Sequence, residues 1–202
     1  MVRAQDFTWF EEACPTLAVA YCLTLVRDLS PGEALTCFGV TSRRGTASLA
    51  ELEEHAEQAW SEGEDQMVVG ATSVYGWTLL VEPNGYLGVT ETLLRSASRG
   101  TVTISHFQNV NAVGLFTWAV DGDLRVSFDP LFCEERYGSQ PDALLAEMTE
   151  AGFDPHGDPD DEVAELTSEA AFALAANLSG VRLTPVTLNE SIYTLGWATR
   201  PG

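Results

Sequence analysis

Two pairs of apolar segments in the middle of the chain, each joined by a short turn, constrain the fold more than any other feature. The four segments run over residues 68–74, 77–82, 112–120 and 124–128. Tyr75-Gly76 joins the first pair, and Asp121-Gly122 joins the second. Two-residue turns of this kind, above all Asp-Gly and Asn-Gly, connect neighbouring antiparallel strands. The sequence therefore predicts two β-hairpins within an antiparallel sheet.

Helical patterns lie on both sides of the hairpins. Apolar residues at helical spacing predict a helix from Pro15 to about Leu29, and Ser30-Pro31-Gly32-Glu33 is a capping box that starts a second helix. The remaining predictions are helices over 48–60, 91–97 and 139–152, a helix from Asp160 or Asp161 to about Leu178, a loop over 42–47, a strand over 101–108, and edge strands over 181–183 and 191–198. Hairpins with separately grouped helices are typical of α+β proteins. We expect residues 1–202 to form one α+β domain, whose antiparallel sheet has about five or more strands and whose helices pack mainly on one face.

Charge is the second strong constraint. The chain has 30 acidic residues and 10 basic ones, all arginine, and its formal net charge is −20. Such a chain repels nucleic-acid phosphates and anionic membranes, so we expect neither as a partner. It favours a basic protein as a partner, although solubility alone also explains the acidity. Two segments, 51–65 and 154–169, each contain seven acids and no arginine or lysine.

The cysteines and the first residues indicate the compartment. Cys14, Cys22, Cys37 and Cys133 form no C-x-x-C pair, and none lies at zinc-ligand spacing from a histidine. Reduced thiols are therefore expected. The N-terminal stretch is acidic and has no apolar signal segment, and the apolar stretch 17–29 is shorter than the ~20 residues that cross a bilayer. These features predict a cytoplasmic protein.

Several stretches resemble a known family. They are "YCLTLVRDLSPGEALTCFG", "GWTLLVEPNGYLG", "SRGTVTISHFQNVNAVGLFTWAVDGDLRVSFDP" and "PDALLAEMTEAGFD", preceded by Phe7 and Trp9. Together they resemble DUF6461, a family of uncharacterised actinobacterial proteins, over nearly the whole chain. The absence of lysine and the presence of only two isoleucines also indicate a G+C-rich genome. The resemblance implies a single domain but no activity and no site residues. In architecture and charge the chain is also similar to the small acidic SUKH immunity proteins, which bind toxins.

Two polar motifs suggest chemistry, but each also has a structural explanation. Glu82 comes before Pro83-Asn84-Gly85, and a carboxylate beside this turn could accept a proton or bind a cation. Because Asn-Gly already explains the stretch as a turn, we predict that Glu82 ends a strand and meets water or an arginine. Ser105 and His106 suggest a nucleophile and its base. Neighbours in a strand point to opposite faces, so their side chains should not bond to each other.

The acidic loop over 154–165 resembles a calcium loop but lacks its pattern. His156 and Pro159 occupy the third and sixth positions, where an EF-hand needs an acid and a glycine. Weak cation binding by Asp158, Asp160 and Asp161 is an alternative to a loop that caps the next helix. No phosphate-binding glycine loop, metalloprotease motif or kinase motif is present. We therefore predict no catalytic residue, cofactor or metal, while carboxylate-only chemistry stays open.

Two functions from different classes follow. The first is a non-catalytic protein-interaction domain, immunity-like, antitoxin-like or regulatory, that binds a basic protein. Its candidate contact residues are Trp9, Glu54, Glu57, Asp158, Asp160 and Asp161, although Trp9 could instead fasten the N-terminal segment to the body. The alternative is a small-molecule-binding or hydrolytic domain with a polar pocket on the sheet face, formed by Glu82, His106, Asn109 and Asn111. A structural subunit of a homo-oligomer is a third possibility.

Overall fold

The computed structural model describes residues 1–63, 65–157 and 166–201. Its strands are β1 (Tyr21–Arg27), β2 (Val40–Ala47), β3 (Gln66–Val74), β4 (Trp77–Pro83), β5 (Val102–Gln108), β6 (Gly114–Val120), β7 (Asp123–Phe128), β8 (Arg136–Tyr137) and β9 (Tyr193–Thr199). Its α-helices are α1 (Phe10–Ala13), α2 (Pro15–Val19), α3 (Pro31–Cys37), α4 (Leu49–Ser61), α5 (Glu91–Ala97), α6 (Leu145–Ala151), α7 (Thr167–Ser179) and α8 (Pro185–Asn189). Three short 3-10 helices span Ala4–Phe7, Leu87–Val89 and Pro130–Phe132.

The strands form one antiparallel sheet in the order β2-β9-β3-β4-β1-β5-β6-β7-β8. On one face, α1, α4, α6, α7 and α8 enclose the larger apolar core, to which β1 contributes Leu23 and Leu25. On the other face, α3 and α5 enclose a smaller core with Val26 and Leu80. The predicted α+β class and antiparallel sheet are confirmed, and most helices lie on one face.

Both predicted hairpins are confirmed, with their turns in the expected conformation. Tyr75 and Gly76 have φ values of 47° and 83° between β3 and β4. Asp121 and Gly122 have φ values of 52° and 77° between β6 and β7. Positive φ at both central residues is the geometry whose twist matches that of the flanking strands. The local sequence therefore fixes these two strand pairs.

The predicted first helix is wrong beyond its first turns. Pro15 does begin a helix, but α2 ends at Val19, and the residues that follow form β1. This strand lies between β4 and β5 and is buried from Tyr21 to Val26. A strand covered on both faces is a continuous apolar run, and its periodicity does not distinguish it from a buried helix.

Other boundaries also differ from the predictions. Residues 42–47, predicted as a loop, belong to the edge strand β2, whose register with β9 shifts twice. The predicted edge strand at 191–198 is β9, which lies inside the sheet between β2 and β3, and residues 181–183 form no strand. Residues 141–144 form turns before α6 begins, and the predicted helix start at Asp160 or Asp161 lies outside the described residues.

Helix α4 is fixed at both its start and its inner face. The Ser48 side chain accepts from the Glu51 amide at 3.4 Å, and the Glu51 carboxylate accepts from the Ser48 amide at 2.8 Å. This reciprocal cap satisfies amides that the first helical turn leaves free. Leu52 is fully buried over β3, where a Cβ atom at Gly70 would lie 2.6 Å from its Cδ2. The missing side chain at Gly70 therefore lets α4 lie close to the sheet.

Candidate functional site

An open groove lies where four separate parts of the chain meet. Its walls come from α2, α4, the turn after β4 and the loop after β5, and its volume is about 540 Å³. Most of the exposed lining is apolar. Such a concave apolar surface is the default candidate for binding.

Three large apolar side chains at this groove are unusually exposed. Trp60 of α4 is 58% exposed, Val19 of α2 is 59% exposed, and Val110 of the loop after β5 is 65% exposed. Single exposed apolar residues are normal on proteins, but these three line one groove. The folded chain thus places apolar surface in water where three distant segments meet.

Helix α4 gives the groove both its aromatic residue and its charge. Glu53, Glu57 and Trp60 lie at positions i, i+4 and i+7, on one side of the helix. Leu52 and Ala59 are buried on another side, against the sheet. The helix therefore points its apolar stripe into the core and a mixed acidic and aromatic stripe into the groove.

The acidic side of the groove is partly desolvated. Glu53 is half-buried, and burial raises the pKa of its carboxyl, while the backbone amide of Leu17 opposes this shift. Glu57 is exposed. Among the described residues that line the groove, none is basic. A positive group in the groove would therefore meet two acidic side chains.

Trp60 already contacts one cation of the same chain. The Arg200 guanidinium carbon lies 4.5 Å from the centroid of the Trp60 ring. The Arg200 amide donates to the carbonyl of Asp65 at 3.2 Å, which holds the segment after β9 against the residue before β3. A small depression lined by Trp60, Asn84, Tyr86 and Arg200 continues the groove at this end.

The turn after β4, which lines the groove with Pro83 and Asn84, is stabilised by the Glu82 side chain. Its carboxylate accepts from the Leu87 amide at 2.7 Å and from the Gly88 amide at 2.9 Å. Glu82 does end a strand, but the prediction that it meets water or an arginine is wrong, because it is completely buried. Burial raises the pKa of Glu82 to about 7, and the bonds from the two amides oppose this rise. A carboxylate here stabilises the backbone of the Leu87–Val89 helix rather than facing a ligand.

His106 lies on the opposite face of the sheet from Glu82. In β1, Cys22 is paired with Glu82, whereas the next residue, Leu23, is paired with His106. The His106 Nδ1 atom lies 3.4 Å from the Tyr21 hydroxyl, and burial lowers the pKa of His106 to about 3. The side chains of Ser105 and His106 point to opposite faces of the sheet, as expected, and do not bond to each other. The Ser105 hydroxyl instead bonds the Thr24 hydroxyl, on the face that carries Glu82.

The two asparagines of the expected polar pocket lie in the loop after β5. The Asn109 side chain accepts from the amides of Asn111 and Val113, at 2.9 and 3.1 Å. Asn111 is exposed. With Glu82 and His106 on opposite faces of the sheet, the structure does not bring the four residues of the expected pocket together.

The expected partner-binding residues are distributed between the groove and other places. Glu57 lines the groove, and Glu54 is exposed on the same helix one residue after Glu53. Trp9 is half-buried, with its ring centroid 6.3 Å from that of Phe7 and 5.9 Å from that of Phe10, as expected of a residue that fastens the N-terminal segment. Asp158, Asp160 and Asp161 lie outside the described residues.

Sequence reasoning missed Trp60, Val19 and Val110 as parts of one surface. One signal was available, since Trp60 follows Glu53 and Glu57 at helical spacing on the acidic face of α4. No comparable signal connects it to Val19 or Val110, because those contacts depend on the tertiary fold.

Residues 1–63, 65–157 and 166–201 present neither a grouped set of metal ligands nor a membrane-spanning helix. No three histidine, cysteine, aspartate or glutamate side chains there are grouped closely enough to hold a metal ion. In the same ranges, every helix is too short or too polar to cross a bilayer.

Fold and groove define an α+β protein with one nine-stranded antiparallel sheet and an acidic, aromatic groove at its surface. The chain belongs to DUF6461, a family of unknown function, whose family model matches residues 1–202. Comparisons with curated proteins and with solved structures find no match.

Proposed function

We propose that the protein is a non-catalytic interaction module that binds a basic segment of a partner protein in the groove. The observation that carries this proposal is the exposed Trp60 side chain, which lies in the groove on an acidic helix. Tryptophan is enriched among the residues that dominate binding energy, and clustered exposed apolar surface marks interaction sites. An immunity-like, antitoxin-like or regulatory role would each be a form of such binding.

The charge of the groove selects the partner's chemistry. Glu53 and Glu57 line it, Glu54 lies beside them, and the whole chain has a formal net charge of −20. Complementary potential mainly speeds association and excludes unsuitable partners, while desolvated aromatic surface supplies affinity. A segment with basic residues beside apolar ones therefore fits the groove.

Two other occupants fit less well. A second copy of the chain would bring an equal negative charge towards the groove, and like charges across an interface are costly. A small molecule is usually bound in a site that covers most of its surface. Trp60, Val19 and Val110 are each more than half exposed, so the groove is better suited to one side of a polypeptide segment that stays partly in solvent.

A synthetic amphipathic helix, about 18 residues or five turns long, with leucine on one face and arginine on the other, is the first probe. Its affinity is measured by calorimetry for the wild type, Trp60→Ser and Ile192→Ser. Ile192 is 61% exposed and does not line the groove, so it is the matched control. Loss of a dominant contact should cost about 2 kcal/mol, or roughly 30-fold in affinity, only in Trp60→Ser. An equal effect of both substitutions, or of neither, would contradict the proposed site.

The contribution of charge is tested with two double variants of equal net charge. Glu53→Gln/Glu57→Gln removes two acids from the groove, and Glu135→Gln/Glu150→Gln removes two exposed acids elsewhere. Association rates are measured at low and high salt. The groove variant should associate more slowly than the control variant, and high salt should reduce the difference. Rates that are independent of salt would refute the steering part of the proposal.

The natural partner is sought by mass spectrometry of proteins that co-purify with the tagged chain from a high-G+C host. The purification is repeated at low and high salt with wild type, Trp60→Ser and Ile192→Ser as baits. A stoichiometric basic protein that Trp60→Ser and high salt both deplete, and that Ile192→Ser retains, would support the proposal. A partner that all three baits retain equally would place the binding surface elsewhere.

A further inference from the structure

We infer that the Trp60 end of the groove is a binding subsite for an arginine side chain and that Arg200 occupies this subsite within the same chain. This inference rests on the proposed function and specifies which basic residue the groove selects. The Arg200 guanidinium lies over the Trp60 ring, with 4.5 Å between the guanidinium carbon and the ring centroid.

The contact between Arg200 and Trp60 is built by the fold. The Arg200 amide donates to the Asp65 carbonyl at 3.2 Å, and the Tyr86 hydroxyl donates to the Pro201 carbonyl at 3.3 Å. These bonds hold the backbone on both sides of the Arg200 side chain. The depression that Arg200 and Tyr86 line shares Trp60 and Asn84 with the groove. Arg200 therefore lies at the end of the proposed binding surface itself.

The chemistry of this end favours arginine over lysine. A guanidinium group is planar and weakly hydrated, so it stacks on an indole ring more readily than a strongly hydrated ammonium group does. Glu57 and Glu53 precede Trp60 by three and seven residues on the same side of α4. These two carboxylates line the groove that shares Trp60 with the depression holding Arg200, so they attract a guanidinium that approaches the ring from the groove. The aromatic face selects the planar guanidinium, and the neighbouring negative charge favours its approach.

Arg200 should therefore compete with an arginine of the partner. A cation over an exposed aromatic ring contributes enough to change affinity by roughly two- to fivefold. Removing Arg200 would leave the Trp60 ring free for the incoming side chain. The same removal makes the chain more negative by one charge, so a matched control is required. Arg182 is exposed and contacts Asp6 away from the groove, which makes Arg182→Gln that control.

The test uses the arginine peptide described above and a second peptide in which every arginine is replaced by lysine. Affinities are measured for the wild type, Arg200→Gln, Arg182→Gln and Trp60→Leu, which keeps an apolar side chain but removes the aromatic face. Circular dichroism melts show that each variant is folded. Arg200→Gln should bind the arginine peptide roughly two- to fivefold more tightly than wild type and than Arg182→Gln. The preference for arginine over lysine should be present in wild type and lost in Trp60→Leu.

Failure of the inference differs from failure of the proposed function. If the peptides bind through the groove but Arg200→Gln is no tighter than Arg182→Gln, Arg200 is not a competitor and the inference is overturned. Equal affinity of wild type for the two peptides would also overturn it. If neither peptide binds the wild type or any variant, both the inference and the proposed function are overturned.

Discussion

Glu82 and His106 should contribute opposite slopes to the pH dependence of stability between pH 4.5 and 6.5, and removing either group should tilt the profile relative to that of wild type. Both side chains are buried, on opposite faces of the sheet, and burial moves their pKa values in opposite directions. The pKa of Glu82 rises from 4.5 to about 7, and that of His106 falls from 6.5 to about 3.

The two shifts act on stability with opposite signs. The folded state holds the Glu82 proton more tightly than the unfolded state, so this contribution is complete below pH 4.5 and is lost as the pH rises to about 7. The folded state keeps His106 neutral, so its contribution is present above pH 6.5 and is lost as the pH falls towards 3. Over these full ranges the changes are about 3 kcal/mol for Glu82 and about 5 kcal/mol for His106.

The slopes cancel where the ranges overlap. Each group alone changes the unfolding free energy by about 1.4 kcal/mol per pH unit, and between pH 4.5 and 6.5 the signs are opposite. In Glu82→Gln the histidine slope is no longer offset, so stability relative to wild type should increase with pH across this interval. In His106→Gln the glutamate slope is no longer offset, so stability relative to wild type should decrease with pH.

Urea unfolding followed by tryptophan fluorescence at several pH values measures these slopes. Both substitutions also lower stability by an amount that does not depend on pH, because each disturbs buried contacts, and only the slopes are compared. All other titrating groups are shared with wild type, so the difference between two profiles isolates one side chain. If the Glu82→Gln profile runs parallel to that of wild type from pH 4.5 to 6.5, Glu82 does not titrate there and the reasoning is refuted.

Two further predictions test the packing that positions the groove. A methyl group in Gly88→Ala would overlap the Thr24 hydroxyl and lie 2.7 Å from Cys22 Sγ. We therefore expect the free energy of unfolding, measured in urea, to fall by about 3 kcal/mol. A fall of less than about 1 kcal/mol would contradict this close approach. Leu52→Ala removes most of a fully buried side chain on the inner face of α4 and should lower the free energy of unfolding by about 3 kcal/mol. Val19→Ala on the exposed groove wall should change the free energy of unfolding by less than about 0.5 kcal/mol.

The sequence predicts the parts of this fold that depend on neighbouring residues. Tyr75-Gly76 and Asp121-Gly122 determine their hairpins because a two-residue turn needs positive φ in the chain itself. The cap formed by Ser48 and Glu51 lies within one helical turn, and the predicted helix over 48–60 differs from α4 by one residue at each end. Local chemistry is enough to place these elements.

Features that depend on distant residues could not be predicted in the same way. The stretch from Tyr21 to Val26 becomes a strand because β4 and β5 cover its two edges and helices cover its faces, so its apolar run carries no period. Glu82 is buried because the Leu87–Val89 helix folds back over it, and no spacing rule indicates that. Trp60 becomes part of a groove because the fold brings it close to Val19 and Val110, which are 41 and 50 residues away in the sequence.

The same distant contacts also make the groove a preformed surface. Ser48 and Leu52 fix α4, the Asn109 side chain closes the loop that presents Val110, and the Asn84 amide donates to the Ala20 carbonyl at 2.9 Å. Binding to a surface whose backbone is already ordered avoids most of the entropy cost of ordering loops. For the proposed binding, a substitution at Trp60 should then act mainly on the dissociation rate, whereas substitutions of the acids act on the association rate. The different kinetic effects would separate the apolar and charged contributions of a groove in which α4 supplies both.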